Sequence, residues 1–160
     1  GPTNLNPPNN VKLIKVETAD EMLKKILKLS NLDIGIFTAA VADYKANKIS
    51  SNKIKKTSNI NLKLIKNTDI LKKISLSKFR PKIVVGFAAE TGGTELAKKK
   101  LLEKNCDLII YNKVNKKNNV FGSDSNKISI ITENKSKKFK KMSKVNCAKE
   151  IIKHIYLNNL

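Results

Sequence analysis

Two neighbouring stretches of the sequence combine charged side chains in a way that suits a phosphorylated ligand. In AAVADYK at residues 39–45, the small side chains let a ligand approach the backbone. The Asp43 carboxylate that follows them could bind a metal ion or a hydroxyl group. KIKK at residues 53–56 brings three ammonium groups close together, and a polyanion such as a triphosphate relieves their mutual repulsion. Each stretch also has an ordinary interpretation, because strand-end aspartates are often turn residues and lysine runs are often solvated surface.

A third candidate lies where two glycines precede a predicted helix. ETGG at residues 90–93 would place backbone N–H groups at a helix N-terminus, which attracts anions. The sequence lacks GK[ST] and GxGxxG, so this is not a Walker loop or a dinucleotide fingerprint. Lys100 and Lys104 are four residues apart on the same predicted helix and project from one face, where a surface stripe is the ordinary interpretation. His154, near the apolar face of the last predicted helix, is interpreted as structural.

The spacing of apolar residues predicts the elements that position these side chains. Short apolar runs, typical of strands buried in a parallel sheet, occur at residues 34–38, 83–87 and 108–111. Alternating patterns predict strands at residues 11–16, 61–65 and 127–131, the last in a hairpin with residues 138–139 through Asn134. Helices are predicted at residues 18–30, 67–74, 94–104 and 143–156. The first has the capping-box pair Thr18 and Glu21.

Together these elements predict an α/β fold with a mostly parallel sheet and an antiparallel edge. We expect a single domain over residues 1–160, in which residues 1–10 form a loop. The last helix is predicted to turn these apolar residues inward: Val145, Ala148, Ile151, Ile152 and Ile155. Ligands of such sheets lie outside the carboxyl ends of the strands, so a site is expected in the loops after Thr38, Phe87 and Tyr111.

Composition narrows the class of ligand. The net charge of +20 invites a nucleic-acid interpretation, but the lysines are spread along the chain, Arg80 is the one arginine, and tryptophan is absent. We therefore expect an anionic small substrate, and not nucleic acid, as the main partner. Cys106 and Cys147 show no metal or disulfide spacing and have no neighbouring histidine, which indicates a reducing, cytoplasmic setting. No apolar run is long enough to cross a membrane, and no membrane association is expected.

Several segments, in order, resemble successive motifs of bacterial phosphopantothenoylcysteine synthetase, the C-terminal domain of a bifunctional coenzyme A biosynthesis protein. They are AAVADYK at 39–45, KIKK at 53–56, LIKNTDIL at 64–71, VGFAAET at 85–91, KNCDLI at 104–109 with Asn112, and FGSDSN at 121–126. No single motif would suffice. Their order over nearly the whole chain makes the match specific.

The resemblance implies a Rossmann-like three-layer fold, a homodimer and a two-step ligase reaction. The carboxylate of 4'-phosphopantothenate attacks CTP to give an acyl-cytidylate, and the amine of cysteine then displaces CMP. Mg²⁺ is the implied cofactor, and FMN is expected only if an upstream decarboxylase domain exists. By motif position, the implied CTP contacts are Phe37, Thr38, Ala39, Asp43, Lys53, Thr68, Asp69, Ile70, Leu71, Phe87, Lys100 and Lys104. Lys53 would be catalytic, and Asp43 would be the magnesium ligand.

The sequence departs from the family in two places. Thr68 stands where the family often has proline, which alters loop stiffness more than chemistry. Members normally begin with a strand, a glycine-rich turn and a phosphate-holding segment, whereas residues 1–3 look like the loop that follows this unit. We therefore expect the first β-α unit to be missing and the chain to be a partial enzyme. The alternatives are a basic α/β module that binds RNA or another polyanion, and a structural remnant without activity.

Overall fold

The computed structural model describes residues 6–55, 59–114 and 123–158. The chain divides into two compact units, which are described separately. The first contains Gly1–Lys28 and Ala39–Ile70, and the second contains Leu29–Thr38 and Leu71–Leu160. In chain order the elements are α1 (Ala19–Ile26), β1 (Ile34–Phe37), β2 (Tyr44–Ala46), β3 (Leu64–Lys66), α2 (Ile70–Ser75), β4 (Ile83–Glu90), α3 (Thr94–Glu103), β5 (Leu108–Lys113), β6 (Ser125–Asn126), β7 (Ile128–Ile131), β8 (Ser136–Lys138), β9 (Met142–Ser143) and α4 (Lys144–Leu157).

The second unit is built on a five-stranded sheet in the order β1-β4-β5-β7-β8. The β1–β4 and β4–β5 pairs are parallel, and α3 connects β4 to β5. The β5–β7 and β7–β8 pairs are antiparallel, so the predicted antiparallel edge is two strands wide. The predicted α/β fold and the hairpin between β7 and β8 are therefore confirmed.

Side chains alternate between the two faces of this sheet and form two apolar clusters. Val85, Leu108 and Ile110 belong to the cluster that α4 covers. Val84 and Ile109 belong to the cluster that α3 covers. Because both faces of β4 and β5 are covered, their sequences are continuous apolar runs without polar alternation. At most 1% of each of these five side chains is exposed, so the core lies on the central strands.

The prediction of which residues form the inward face of α4 is only partly correct. Cys147, Ile151 and Ile155 are buried at the helical spacing of four residues. By contrast, Val145 is 65% exposed and Ile152 is 50% exposed, and Ala148 is also exposed. Cys147 takes the inward position instead, because a free cysteine packs as a small hydrophobic side chain.

Two strand predictions also need correction. Residues 11–16 are not assigned to a strand, and Val16 is the one buried side chain among them. The run at residues 34–38 does form β1, but this strand lies at an edge of the sheet, and Ile34 and Ile36 are 40% and 42% exposed. Apolar content therefore predicted that strand correctly but not its burial.

The first unit contains α1 and an antiparallel ribbon of β2 and β3. The predicted capping box of α1 is present, since Thr18 Oγ1 accepts from Glu21 N and the Glu21 carboxylate accepts from Glu17 N and Thr18 N. The helix ends at Ile26, earlier than predicted. Tyr44, which is predicted to lie in the loop after Thr38, instead begins β2. Within the described parts of the chain, no helix has the length and apolar character that crossing a membrane requires.

Candidate functional site

The carboxyl end of β4 and the helix α3 bring an acidic and a basic side chain together. Glu90 ends β4, and its carboxylate accepts a hydrogen bond from the ammonium group of Lys100 on α3. The Glu90 side chain is 22% exposed and that of Lys100 is 40% exposed, so the ion pair is half-buried. Val114 N donates to Glu90 O at 2.9 Å, which fixes the backbone that carries the carboxylate.

The turn after Glu90 is shaped to leave a helix N-terminus open. Gly93 is the N-cap residue of α3 and provides no side-chain acceptor for the N–H groups of the first turn. Tyr111 Oη donates to Gly92 O, which ties this turn to β5. Glu95 is an acidic residue of the same first turn, and anion binding at residues 90–93 stays a prediction.

Lys104 lies at the other end of α3, where it is the C-cap residue. Its backbone oxygen accepts from Ser75 Oγ. Ten residues of helix separate it from Gly93, which corresponds to about 15 Å along the axis. The backbone of Lys104 is therefore far from the open N-terminus of α3.

Three other predicted site residues of this unit pack in the apolar interior. Phe37 and Leu71 lie against the cluster covered by α3, and Phe87 lies against the cluster covered by α4. Each therefore has an ordinary packing role in addition to the predicted contact with CTP. Thr38 follows β1 directly and is exposed.

In the first unit, residues 39–42 line a cavity of about 830 Å³. The N-terminal part of α1 and both strands of the ribbon form its other walls. Lys45 Nζ lies 2.5 Å from Asp20 Oδ2 and links β2 to α1 at this cavity. The volume is within the range of about 300–1,000 Å³ that is common for small-molecule sites.

Asn67 holds the backbone of the AAVADYK segment. Its side-chain Nδ2 donates to Ala42 O at 3.0 Å, and its backbone N donates to Asp43 O at 2.7 Å. The Asp43 carboxylate itself is on an exposed residue. Sequence spacing gives no sign of this role for Asn67, because Asn67 and Ala42 are 25 positions apart in the chain.

The remaining predicted residues of the first unit differ in exposure. Lys53 and Lys55 are exposed, whereas Lys56, the last residue of the KIKK motif, lies outside the described residues. Asp69 is exposed, and Thr68 is half-buried. Ile70, at the start of α2, is only 4% exposed and belongs to the core.

The twelve predicted CTP residues are thus divided equally between the two units. The first unit contains Ala39, Asp43, Lys53, Thr68, Asp69 and Ile70, and the second contains Phe37, Thr38, Leu71, Phe87, Lys100 and Lys104. Glu90 and Asn67, which bond to members of these motifs, were not predicted as site residues.

His154 is separate from these arrangements. It lines a second cavity, of about 470 Å³, with the β7–β8 turn and the segment between α3 and β5. Burial lowers the pKa of the imidazole, and the positive charge of Lys137 lowers it further. Both effects favour the neutral form, which suits the structural role predicted for His154.

A sheet with parallel central strands, helices on both faces and an antiparallel edge places the chain in the α/β class of proteins. Over residues 1–157 the sequence matches the family described as DNA/pantothenate metabolism flavoprotein C-terminal domain, and the chain belongs to this family.

Curated relatives agree with this assignment. The chain is 44% identical, over 98% of its length, to the Coenzyme A biosynthesis bifunctional protein CoaBC of Borreliella burgdorferi. It is 40% identical, over 97% of its length, to the protein of the same name from Haemophilus influenzae. These matches cover 40% and 39% of the two relatives, so the chain spans about two fifths of their length.

Solved structures support the same fold. A crystal structure of the C-terminal domain of CoaBC superposes with a TM-score of 0.78 at 32% identity, covering 98% of this chain and 70% of that one. The DNA/pantothenate metabolism flavoprotein from Streptococcus pneumoniae gives a TM-score of 0.73 at 18% identity, which supports the fold alone. The predicted family, the C-terminal domain of the bifunctional coenzyme A biosynthesis protein, is confirmed.

Proposed function

We propose that this chain acts in coenzyme A biosynthesis as part of the ligase that joins 4'-phosphopantothenate to cysteine, with CTP as the activating nucleotide. The observation that carries the proposal is the family match over residues 1–157. The exposed lysines of residues 53–55 and the predicted anion-binding arrangement of residues 90–93 support it, because they suit a triphosphate.

The proposed reaction has two steps. An oxygen of the 4'-phosphopantothenate carboxylate bonds to the α-phosphorus of CTP, and the bond to the leaving pyrophosphate breaks. The amine of cysteine then attacks the acyl carbon, loses a proton and displaces CMP, so that an amide forms. Since an anionic carboxylate must approach an anionic triphosphate, the barrier is largely electrostatic and positive charge lowers it.

Lys53 is the residue to which we assign this charge. Its side chain is exposed and free to meet a phosphate oxygen. Once the bound nucleotide orders its ammonium group, a donor of this kind contributes about 3 kcal/mol of transition-state stabilisation. Lys53→Ala should therefore lower turnover by roughly 100-fold with the fold intact. Lys48→Ala removes another exposed lysine of the same unit and serves as the control; equal losses in both variants would remove Lys53 from the mechanism.

Asp43 suits a magnesium ion that arrives with the nucleotide. Among the residues that the structure describes, no group of three or more acidic, histidine or cysteine side chains could hold a metal. Mg²⁺ on nucleotides usually takes only one or two carboxylates and completes its shell with phosphates and water, so a single exposed aspartate fits. The ion would neutralise part of the triphosphate charge.

Pyrophosphate release tests the proposed function directly. The chain is incubated with CTP, Mg²⁺, 4'-phosphopantothenate and cysteine, with each omitted in turn and with ATP replacing CTP. Release that needs CTP and 4'-phosphopantothenate is the expected result. A full-length relative is the positive control. CTP binding without turnover would limit the chain to a nucleotide-binding part of the enzyme, and salt-sensitive RNA binding without CTP binding would favour the polyanion-binding alternative.

The ribbon in the first unit supports the proposed homodimer. Tyr44 and Leu64 are on one face of the ribbon and are 62% and 52% exposed. Leu62, two residues before β3, is 67% exposed. An exposed apolar face of this kind suits a second copy of the chain. Light scattering after size exclusion should give twice the mass of 17.9 kDa, and the monomer mass would refute the dimer.

A further inference from the structure

The ion pair between Glu90 and Lys100 has a geometry that a surface pair lacks. Glu90 is held by strand pairing, because it lies opposite Lys113 in the β4–β5 register. Lys100 reaches it from α3, and the Glu90 side chain is only 22% exposed. A lysine side chain is otherwise flexible, so a fixed carboxylate limits where its ammonium group can lie.

We propose that Glu90 is a positioning residue for Lys100 in the binding of CTP; this inference rests on the proposed function. An ammonium group has three N–H donors. One is directed at Glu90, and the other two are available to phosphate oxygens. The carboxylate therefore orients the ammonium group and still leaves two of its N–H donors for phosphate. It also reduces the side-chain entropy that Lys100 loses when a nucleotide binds.

The carboxylate also has an opposing effect, because its negative charge repels a phosphate. The sign of the net effect is therefore informative. If Glu90 positions Lys100, its replacement by glutamine weakens CTP binding. If Glu90 merely competes with phosphate for the ammonium group, the same replacement tightens binding.

A neighbouring ion pair on the same helix provides a matched control. Lys99 and Glu103 are four residues apart on α3, with 3.6 Å between Nζ and Oε1. Their side chains are 71% and 53% exposed, so solvent screens this pair strongly. Glu103→Gln and Lys99→Gln make the same chemical changes as Glu90→Gln and Lys100→Gln, but without a half-buried partner.

The test is a double-mutant cycle measured by calorimetric titration with CTP and Mg²⁺. We expect Lys100→Gln to raise the Kd about ten-fold and Glu90→Gln to raise it about three-fold. Glu90→Gln in the Lys100→Gln background should not weaken binding further, because the carboxylate then has no ammonium group to position and only its repulsion of phosphate is removed. The Lys99 and Glu103 variants should bind as the wild type does.

Three results would overturn the inference while leaving the proposed function standing: an unchanged Kd in Glu90→Gln, a lower Kd, or the same three-fold loss in both backgrounds. A general loss of structure is recognised separately by thermal unfolding of each variant. If the wild-type chain itself shows no affinity for CTP, the proposed nucleotide role fails, and the inference fails with it.

Discussion

Replacing Asp107 would measure how much one half-buried carboxylate contributes to the stability of the second unit. Asp107 Oδ2 accepts hydrogen bonds from Val84 N at 2.6 Å and from Arg80 Nη2 at 2.8 Å. The side chains of Asp107 and Arg80 are 30% and 26% exposed. The same guanidinium donates to Pro81 O and Lys82 O, so one carboxylate oxygen links the start of β4 to a well-bonded arginine.

The expected magnitude follows from these two bonds. Asp107→Ala removes the acceptor of a buried backbone N–H, and a hydrogen bond to a charged group contributes about 1.5–3 kcal/mol. The partly solvent-screened ion pair with Arg80 adds about 0.2–1 kcal/mol. We therefore expect Asp107→Ala to lower the free energy of unfolding by about 2–4 kcal/mol. Asp107→Asn keeps an oxygen acceptor at the same position and should cost only about 1 kcal/mol.

Urea unfolding followed by far-ultraviolet circular dichroism suits this chain, since it contains no tryptophan. Asp33→Asn is the control, because it breaks a nearby pair with Lys82 whose side chains are 75% and 78% exposed. The hydrogen bond from Lys82 and then its charge lower the pKa of Asp33, but solvent screens the pair, and no measurable loss is expected. Equal losses in Asp107→Ala and Asp33→Asn would refute the reasoning that burial decides the contribution of each carboxylate.

Three further predictions concern the second unit. Burial and Lys137 lower the pKa of His154 in the folded protein below its value of about 6.5 in the unfolded chain. The stability present above pH 6.5 should therefore be lost as the pH falls through the pKa of the folded state. His154→Gln should flatten this dependence of Tm on pH. Burial raises the pKa of Cys147, so a thiol reagent should modify it much more slowly in the native protein than in guanidinium, and equal rates would contradict its burial. Gly35→Ala places a Cβ 2.7 Å from Pro81 Cγ, and we expect a loss of about 1–3 kcal/mol in urea unfolding; unchanged stability would show that the strand can shift.

The parts of the fold that depend on local signals could be predicted from the sequence. The capping box of α1 and the apolar runs of β4 and β5 act over a few residues, and the structure agrees with them. The missed strand β2 depends instead on a partner about 20 residues away, and its sequence is too polar to suggest a strand. The prediction that β1 is buried was wrong for a related reason, since apolar content does not reveal whether a strand has one neighbouring strand or two.

In the candidate site, too, contacts between residues that are distant in sequence could not be predicted. The types of residue that could hold a triphosphate were evident from the lysines and glycines, but their partners were not. The bond from Asn67 to Ala42 spans 25 residues, and the ion pair of Glu90 with Lys100 joins a strand to a helix. Such contacts exist only after the chain has folded, so sequence spacing could not identify them.

The contacts that each motif residue makes show that the motifs contain two kinds of residue. Some fix the backbone: Asn67 bonds the AAVADYK segment, and a Cβ on Gly86 would lie 2.7 Å from Ile109 Cδ1. Others offer charge, as the exposed Lys53 and the half-buried Lys100 do. A motif match by itself does not distinguish them, because both kinds occur side by side. Substitutions distinguish the two kinds of residue. Loss of a backbone-fixing residue should first lower the stability of the fold. Loss of a charged residue should lower nucleotide binding in a protein that unfolds as the wild type does.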